Sequence, residues 1–299
     1  MANELLISAE GITKKFGSLI AVDDVNIDVY SGEICGVAGL NGAGKSTLLA
    51  ILAGVMRPDS GVVYYKGIPV NAGRKGPANT GRRGPANAGN GDRADNAADS
   101  RARTGFKHAR KGSSRVLCIG YVPQETALFP DLTVYDNLKF WALANPNETE
   151  TSGETRVTER KKPLKDRILA VTDATGLSGK MSSPVHSLSG GMKQRVNISA
   201  ALVSEPDILI MDEPTAGLDV KNRRDIINII NTLVRSATGR LAVICTSHQP
   251  GELDMISDRL LLLDGGKVVF NGPPKNIFNG KYALYENIDD ILYSLSGGA

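Results

Sequence analysis

The sequence lacks the features that mark membrane-spanning, secreted or fibrous chains. No apolar run approaches the roughly 18 residues a transmembrane helix needs, and stretches such as Leu260 to Leu263 stop after four. The three cysteines, Cys35, Cys118 and Cys245, lie far apart inside apolar stretches, which argues against a disulfide or metal framework and predicts reduced core thiols. The amino-terminal stretch Met1 to Lys15 carries Glu4 and Glu10 and has no basic segment followed by an apolar one. No secretory signal is therefore expected, and the setting is read as cytoplasmic. What is present is ordinary for a globular protein: 299 residues, 41% of them hydrophobic and 22% charged, with 33 glycines. That length suits one large domain or about two smaller ones, and the composition excludes collagen, coiled coil and wholesale disorder.

The net charge of +3 conceals an uneven distribution. Residues 71 to 115 hold eleven Lys or Arg against three acids, which leaves 24 basic against 29 acidic residues elsewhere. The block contains no Val, Ile, Leu or Met, its one large apolar residue is Phe106, and Arg74 to Asn79 is echoed by Arg82 to Asn87. So little apolar surface cannot offset the entropy of ordering, and the block is expected to be a disordered basic insertion. It reads as a solvated linker tolerated in a surface loop, with lipid headgroups or nucleic acid phosphates as the functional alternatives.

Apolar runs and helical stretches alternate through the rest. Glu33 to Ala38 is a short apolar run into a Gly-rich turn, and Ser46 to Ala53 has helical composition up to Gly54: strand, loop, helix. Val116 to Val122 predicts a second buried strand, and Leu132 to Ala144 and Lys165 to Thr175 predict helices. A helix from Ser189 through Val203 places Met192, Val196, Ser199 and Val203 on one face. Ile208 to Met211 and Leu241 to Ser247 are continuous apolar runs of the kind covered on both faces in parallel sheets, joined by a crossover helix from Val220 to Ser236.

Three patterns carry chemistry. Gly39-Leu40-Asn41-Gly42-Ala43-Gly44-Lys45-Ser46-Thr47 fits the phosphate-binding loop pattern. Its glycines let backbone N–H groups converge on a polyphosphate, the following helix adds its positive end, Lys45 reaches the β and γ phosphates, and Ser46 offers a hydroxyl to Mg²⁺. The strand Ile208 to Met211 runs directly into Asp212-Glu213, placing two carboxylates at the carboxyl end of a core strand, where open α/β sheets bind ligands. Asp212 suits Mg²⁺, and Glu213 suits the orientation or deprotonation of an attacking water. Leu188-Ser189-Gly190-Gly191-Met192-Lys193-Gln194 opens a helix with a serine cap and bare N–H groups, a second anion site without its own lysine.

Together these patterns resemble the nucleotide-binding domain of ATP-binding cassette (ABC) proteins from about Ile7 to Pro273, apart from the insertion. The resemblance implies an α/β fold: a P-loop NTPase core with a mostly parallel sheet, an antiparallel β subdomain and a helical subdomain. The implied organisation is an ATP-binding domain over 1–275, with 71–115 as insertion and 125–190 as helical subdomain, then a short carboxyl tail over 276–299. Phe16 stands where the family stacks an aromatic on adenine, and Gln124, in Tyr121-Val122-Pro123-Gln124, where its Q-loop senses Mg²⁺. Ser189, Gly190, Gly191 and Gln194 match the signature that completes the opposing ATP site, Asp219 the D-loop, and His248, after Thr246-Ser247, the switch histidine. His108 and His186 keep the plain surface or core reading. Catalysis is thereby implied for Glu213, His248 and Gln124, and metal binding for Ser46, Gln124 and Asp212.

The implied mechanism closes two such domains, identical or related, head to tail on two ATP molecules with Mg²⁺. The first expectation is an ATPase subunit that powers a separate transmembrane permease docking near Gln124 and the 132–188 helices, on the inner face of the cell membrane. The signature and the Asp212 to Asp219 run look similar to the drug, lipid and polysaccharide exporter branch. The roughly 27 residues after Gly272 are too few for the regulatory domain many importer ATPases carry. A cassette ATPase without a permease and an ATP-gated binding module are the alternatives. No specific nucleic acid partner is expected.

Overall fold

A computed structural model describes residues 3–72, 117–144, 162–236, 240–247, 249–279, 282–285 and 287–295. The expected basic insertion, apart from residues 71 and 72, and the switch candidate His248 lie outside the described residues.

Two sheets form the framework. β1 (Leu5–Phe16), β2 (Leu19–Tyr30), β4 (Ser60–Tyr65) and β5 (Ile68–Ala72) make an antiparallel sheet in the order β2-β1-β4-β5. The second sheet orders its strands β10-β9-β3-β8-β7-β6. These are β3 (Ile34–Gly39), β6 (Ile119–Val122), β7 (Ile208–Met211), β8 (Ala242–Thr246), β9 (Arg259–Asp264) and β10 (Lys267–Gly272). All neighbours in it are parallel except the edge strand β10, which returns antiparallel beside β9.

Successive side chains on a strand point to opposite faces, so the continuous apolar runs predict a sheet covered on both sides. Ile208 and Ile210 face a cluster shared with the antiparallel sheet (Ile7, Val29) and with α1 (Lys45–Leu52). Leu209 and Met211 face the opposite cluster, with Ile226 and Ile230 of α5 (Val220–Val234) and Leu253 of α6 (Pro250–Ile256). A third cluster joins α2 (Val134–Ala144), α3 (Leu164–Ala174) and α4 (Gly190–Leu202) through Leu138, Ile168 and Val196. On α4 the expected face is observed, with Val196, Ser199 and Val203 buried and Met192 packed against the helical cluster.

The segment read as a carboxyl tail does more than trail. Ile277, and Ile288, Ile291 and Leu292 of α7 (Ile288–Leu295), join the cluster of α5 and α6, with the i, i+3, i+4 spacing of an amphipathic helix. All three cysteines are buried, and burial pushes the thiols of Cys35 and Cys245 up to about 12. Those two should resist alkylation near neutral pH.

Candidate functional site

The carboxyl ends of β3 and β7, with β8 between them, lie on the same side of the parallel sheet, and the charged residues gather there. β3 ends at Gly39 and α1 begins at Lys45, so the intervening loop turns the chain from strand to helix in five residues. Two glycines make this turn possible. A Cβ on Gly39 would lie 2.5 Å from the Leu263 carbonyl oxygen, and one on Gly44, at φ 100°, would overlap that of Ala21. The curl is held from outside by Gly266, whose N–H donates to the Ala43 carbonyl at 3.1 Å. Lys45 bends back over it, its Nζ donating to the carbonyls of Gly39 at 2.9 Å and Leu40 at 3.0 Å. Burial lowers the Lys45 pKa below its usual 10.5, opposed by the carboxylates of Glu213 and Asp212. Asn41, Gly42 and Ser46 are exposed and Thr47 half-buried. The glycine-rich curl at the start of α1, together with the buried cation, suits an anion with several oxygens.

Asp212 and Glu213 follow β7 directly, only 3% and 7% exposed. One hydroxyl organises both: Thr246 Oγ1 donates to Asp212 Oδ1 at 2.8 Å and accepts from the Glu213 N–H at 2.8 Å. Glu213 sits at φ 53°, a left-handed conformation costing a non-glycine residue roughly 1–2 kcal/mol. Its side chain is met by Gln124, whose Nε2 donates to Glu213 Oε2 at 2.7 Å. A strained acidic residue that its neighbours over-determine is a recurrent active-site feature.

The signature and D-loop candidates form a second grouping. Ser189 caps α4 by accepting from the Met192 N–H at 3.3 Å, and Asp219 caps α5 by accepting from the Asn222 N–H at 2.9 Å and Nδ2 at 2.7 Å. Those bonds from Asn222 hold the Asp219 carboxyl below the usual carboxylate range. Gly191 brings the two caps together, since a Cβ there would run into the Asn222 side chain. Gly190 is exposed and Gln194 half-buried. Phe16 stands apart at the end of β1, 48% exposed, with Lys14 Nζ 5.7 Å from its ring centroid. Asp59 steadies this segment, accepting from the Lys15 N–H at 2.7 Å and from Lys14 Nζ at 3.2 Å.

The structure thus brings Lys45, Asp212, Glu213 and Gln124 into one constellation and Ser189, Gly191 and Asp219 into another. Sequence reasoning missed Thr246, the link between the two carboxylates. Its place at the end of a core strand, beside the candidate His248, was the available signal.

The family described as ABC transporter matches residues 22–216. The linearmycin resistance ATP-binding protein LnrL of Bacillus subtilis (strain 168) is 32% identical over 267 residues, covering 89% of this chain and 69% of that one. The Nod factor export ATP-binding protein I of Ralstonia nicotianae is 29% identical, covering 91% of this chain and 68% of that protein. Among solved structures, the ADP conformation of an ATP-binding cassette of an ABC transporter superposes with a TM-score of 0.68 at 21% identity, over 99% of each chain. The cbiO1 protein of Clostridium perfringens, part of the cbiONQ transporter complex, superposes with a TM-score of 0.65 at 24% identity, over 94% of this chain and 93% of that one.

Proposed function

This chain belongs to the ABC transporter family as its ATP-binding and ATP-hydrolysing subunit, and from that premise we propose how its residues divide the work and which way its transporter runs. The observation that carries the reading is the convergence of Lys45, Asp212, Glu213 and Gln124 beyond the carboxyl ends of β3, β6 and β7. The 39–47 loop cradles the phosphates through its N–H groups, with Lys45 on the β and γ oxygens and Phe16 beneath the adenine. Among the described residues no group of three or more His, Cys, Asp or Glu forms a metal cage. The Ser46 hydroxyl, Gln124 and Asp212 would hold Mg²⁺, which would supply neutralisation of the phosphate charge.

Glu213 orients the attacking water and takes its proton, and Gln124 fixes the carboxylate in the meantime through its 2.7 Å hydrogen bond. His248, outside the described residues, is assigned to the γ-phosphate by the family resemblance alone. The site is completed by a second copy or a related chain, whose Ser189, Gly190 and Gly191 supply helix-terminal N–H groups and whose Gln194 supplies its side chain, while its Asp219 lies at the seam. Closure on ATP and opening after hydrolysis drive a separate transmembrane permease at the inner face of the membrane. Relatives named for Nod factor export and linearmycin resistance support export as the direction.

The permease contact is assigned to the helical subdomain beside the Gln124 loop. There Phe129 and Phe140 are exposed and packed edge to face, ring centroids 4.7 Å apart, with Trp141 against Phe140 at 5.3 Å. Because the native thiols are buried, a cysteine introduced at residue 140 is the reactive one. In native membranes a Phe140→Cys chain should crosslink to a membrane-spanning protein, and a chain with cysteine at exposed Leu284, on the α7 side, should not. Equal crosslinking at both positions, or none at residue 140, would remove the docking assignment.

A further inference from the structure

The mechanism above makes no use of Glu252, a largely buried carboxylate on α6 that lies among three segments of the site. Its Oε2 accepts hydrogen bonds from Thr215 Oγ1 at 2.8 Å and Ser247 Oγ at 2.9 Å, and its Oε1 pairs with Arg223 Nε at 3.1 Å. Each partner belongs to a different piece of the machinery. Thr215 lies two residues after Glu213. Ser247 directly follows β8, whose last residue is Thr246, and its Oγ also accepts from the Gln249 N–H at 3.0 Å. Arg223, in the first turn of α5, donates to the Leu218 carbonyl at 3.1 Å and to the Gln249 side chain.

Two hydroxyls donate to Oε2 of this carboxylate, 11% exposed, and the Arg223 guanidinium forms an ion pair with Oε1. The same bonds keep the 214–218 segment, the end of β8 and the start of α5 from shifting independently. Through Thr246, whose hydroxyl holds both the Glu213 N–H and Asp212, a displacement at Ser247 reaches the reacting carboxylate.

We propose that Glu252 is a positioning residue for hydrolysis, clamping the loop after Glu213, the β8 end and the D-loop helix in one register so that Glu213 is held in its working orientation. The proposal rests on the ATPase reading above, with Glu252 acting through Glu213 and touching neither nucleotide nor metal. It predicts a defect in turnover and not in nucleotide binding, because the 39–47 loop is fastened elsewhere, through Gly266 and its own carbonyls.

The test uses the purified full chain as parent, Glu252→Ala, Glu252→Gln, Arg223→Ala and the double variant Glu252→Ala/Arg223→Ala, assayed for ATP turnover and ATP affinity. Glu252→Ala should lower kcat by about tenfold to a hundredfold, as small misplacements of a reacting group do, and change KM and ATP affinity by less than about threefold. Glu252→Gln keeps the shape and one acceptor and should recover part of the loss. The double variant should be no slower than Glu252→Ala, since both changes open the same clamp.

Native-state amide exchange gives a readout that needs no turnover. In Glu252→Ala the amides of Glu213 and Gln249, bonded to Thr246 and Ser247, should lose protection together while that of Leu48 in α1 keeps it. An unchanged kcat in Glu252→Ala would overturn the proposal. So would a uniform loss of protection with Glu252→Gln no better than Glu252→Ala, which is the signature of general destabilisation. A parent that neither binds nor hydrolyses ATP would overturn the functional reading instead, and the exchange pattern would then decide the clamp alone.

Discussion

Replacing Glu213 with glutamine should slow ATP turnover by about a hundredfold or more, the range lost with a general base, while leaving ATP binding intact. The substitution preserves shape and still offers Gln124 an oxygen at the position it now meets at 2.7 Å. The Thr246 hydroxyl continues to accept from the backbone N–H of residue 213, so the left-handed turn survives. Only the capacity to take a proton is removed. A chain that binds ATP but cannot discharge it should accumulate in its closed form, so size-exclusion chromatography with ATP should show a dimer in Glu213→Gln and a transient or minor one in the parent. Turnover equal to the parent's would assign the chemistry to another group.

Lys45→Ala should have the second large effect, this time on binding. Lys45 supplies the positive side chain inside the 39–47 loop, and removing one partner of a desolvated charged contact costs about 2–5 kcal/mol, at least about thirtyfold in Kd. The fold itself should tolerate the change. Burial lowers the Lys45 pKa, so the folded protein holds the ammonium at a disadvantage that the nearby Glu213 and Asp212 carboxylates only partly offset. Between the lowered folded value and the usual 10.5 the unfolded chain binds more protons, so the stability the parent draws from Lys45 rises with pH through that window. The difference in thermal midpoint, parent minus Lys45→Ala, should therefore be larger at pH 10 than at pH 7. Loss of ATP affinity without loss of folded protein separates a binding defect from unfolding.

Much of this was legible before any coordinates. The glycine spacing of 39–47 foretold a strand, curl and helix, and a backbone too crowded for a Cβ at Gly39 and Gly44 is the physical reason for that spacing. The apolar runs at 208–211 and 241–247 read as strands covered on both faces, and their alternate residues do divide between two clusters. Ser189 and Asp219 read as helix-cap and loop residues, and both cap helices. Hidden from the sequence were contacts between positions distant in the chain. Thr246 and Asp212 are 34 residues apart and Thr215 and Glu252 37 apart, and no local pattern marks such pairs. The role of α7 was missed for another reason. Ile288, Ile291 and Leu292 make one short apolar face, too brief to declare what it packs against until α5 and α6 are seen beneath it.

The measurement that bears most directly on the account is ATP hydrolysis by the purified chain, with Mg²⁺ and with excess EDTA, beside Glu213→Gln on the same preparation. The account predicts steady phosphate release with Mg²⁺, background release with EDTA, and background release from the variant under both conditions. Phosphate release that ignores EDTA, or that continues undiminished in Glu213→Gln, would contradict it.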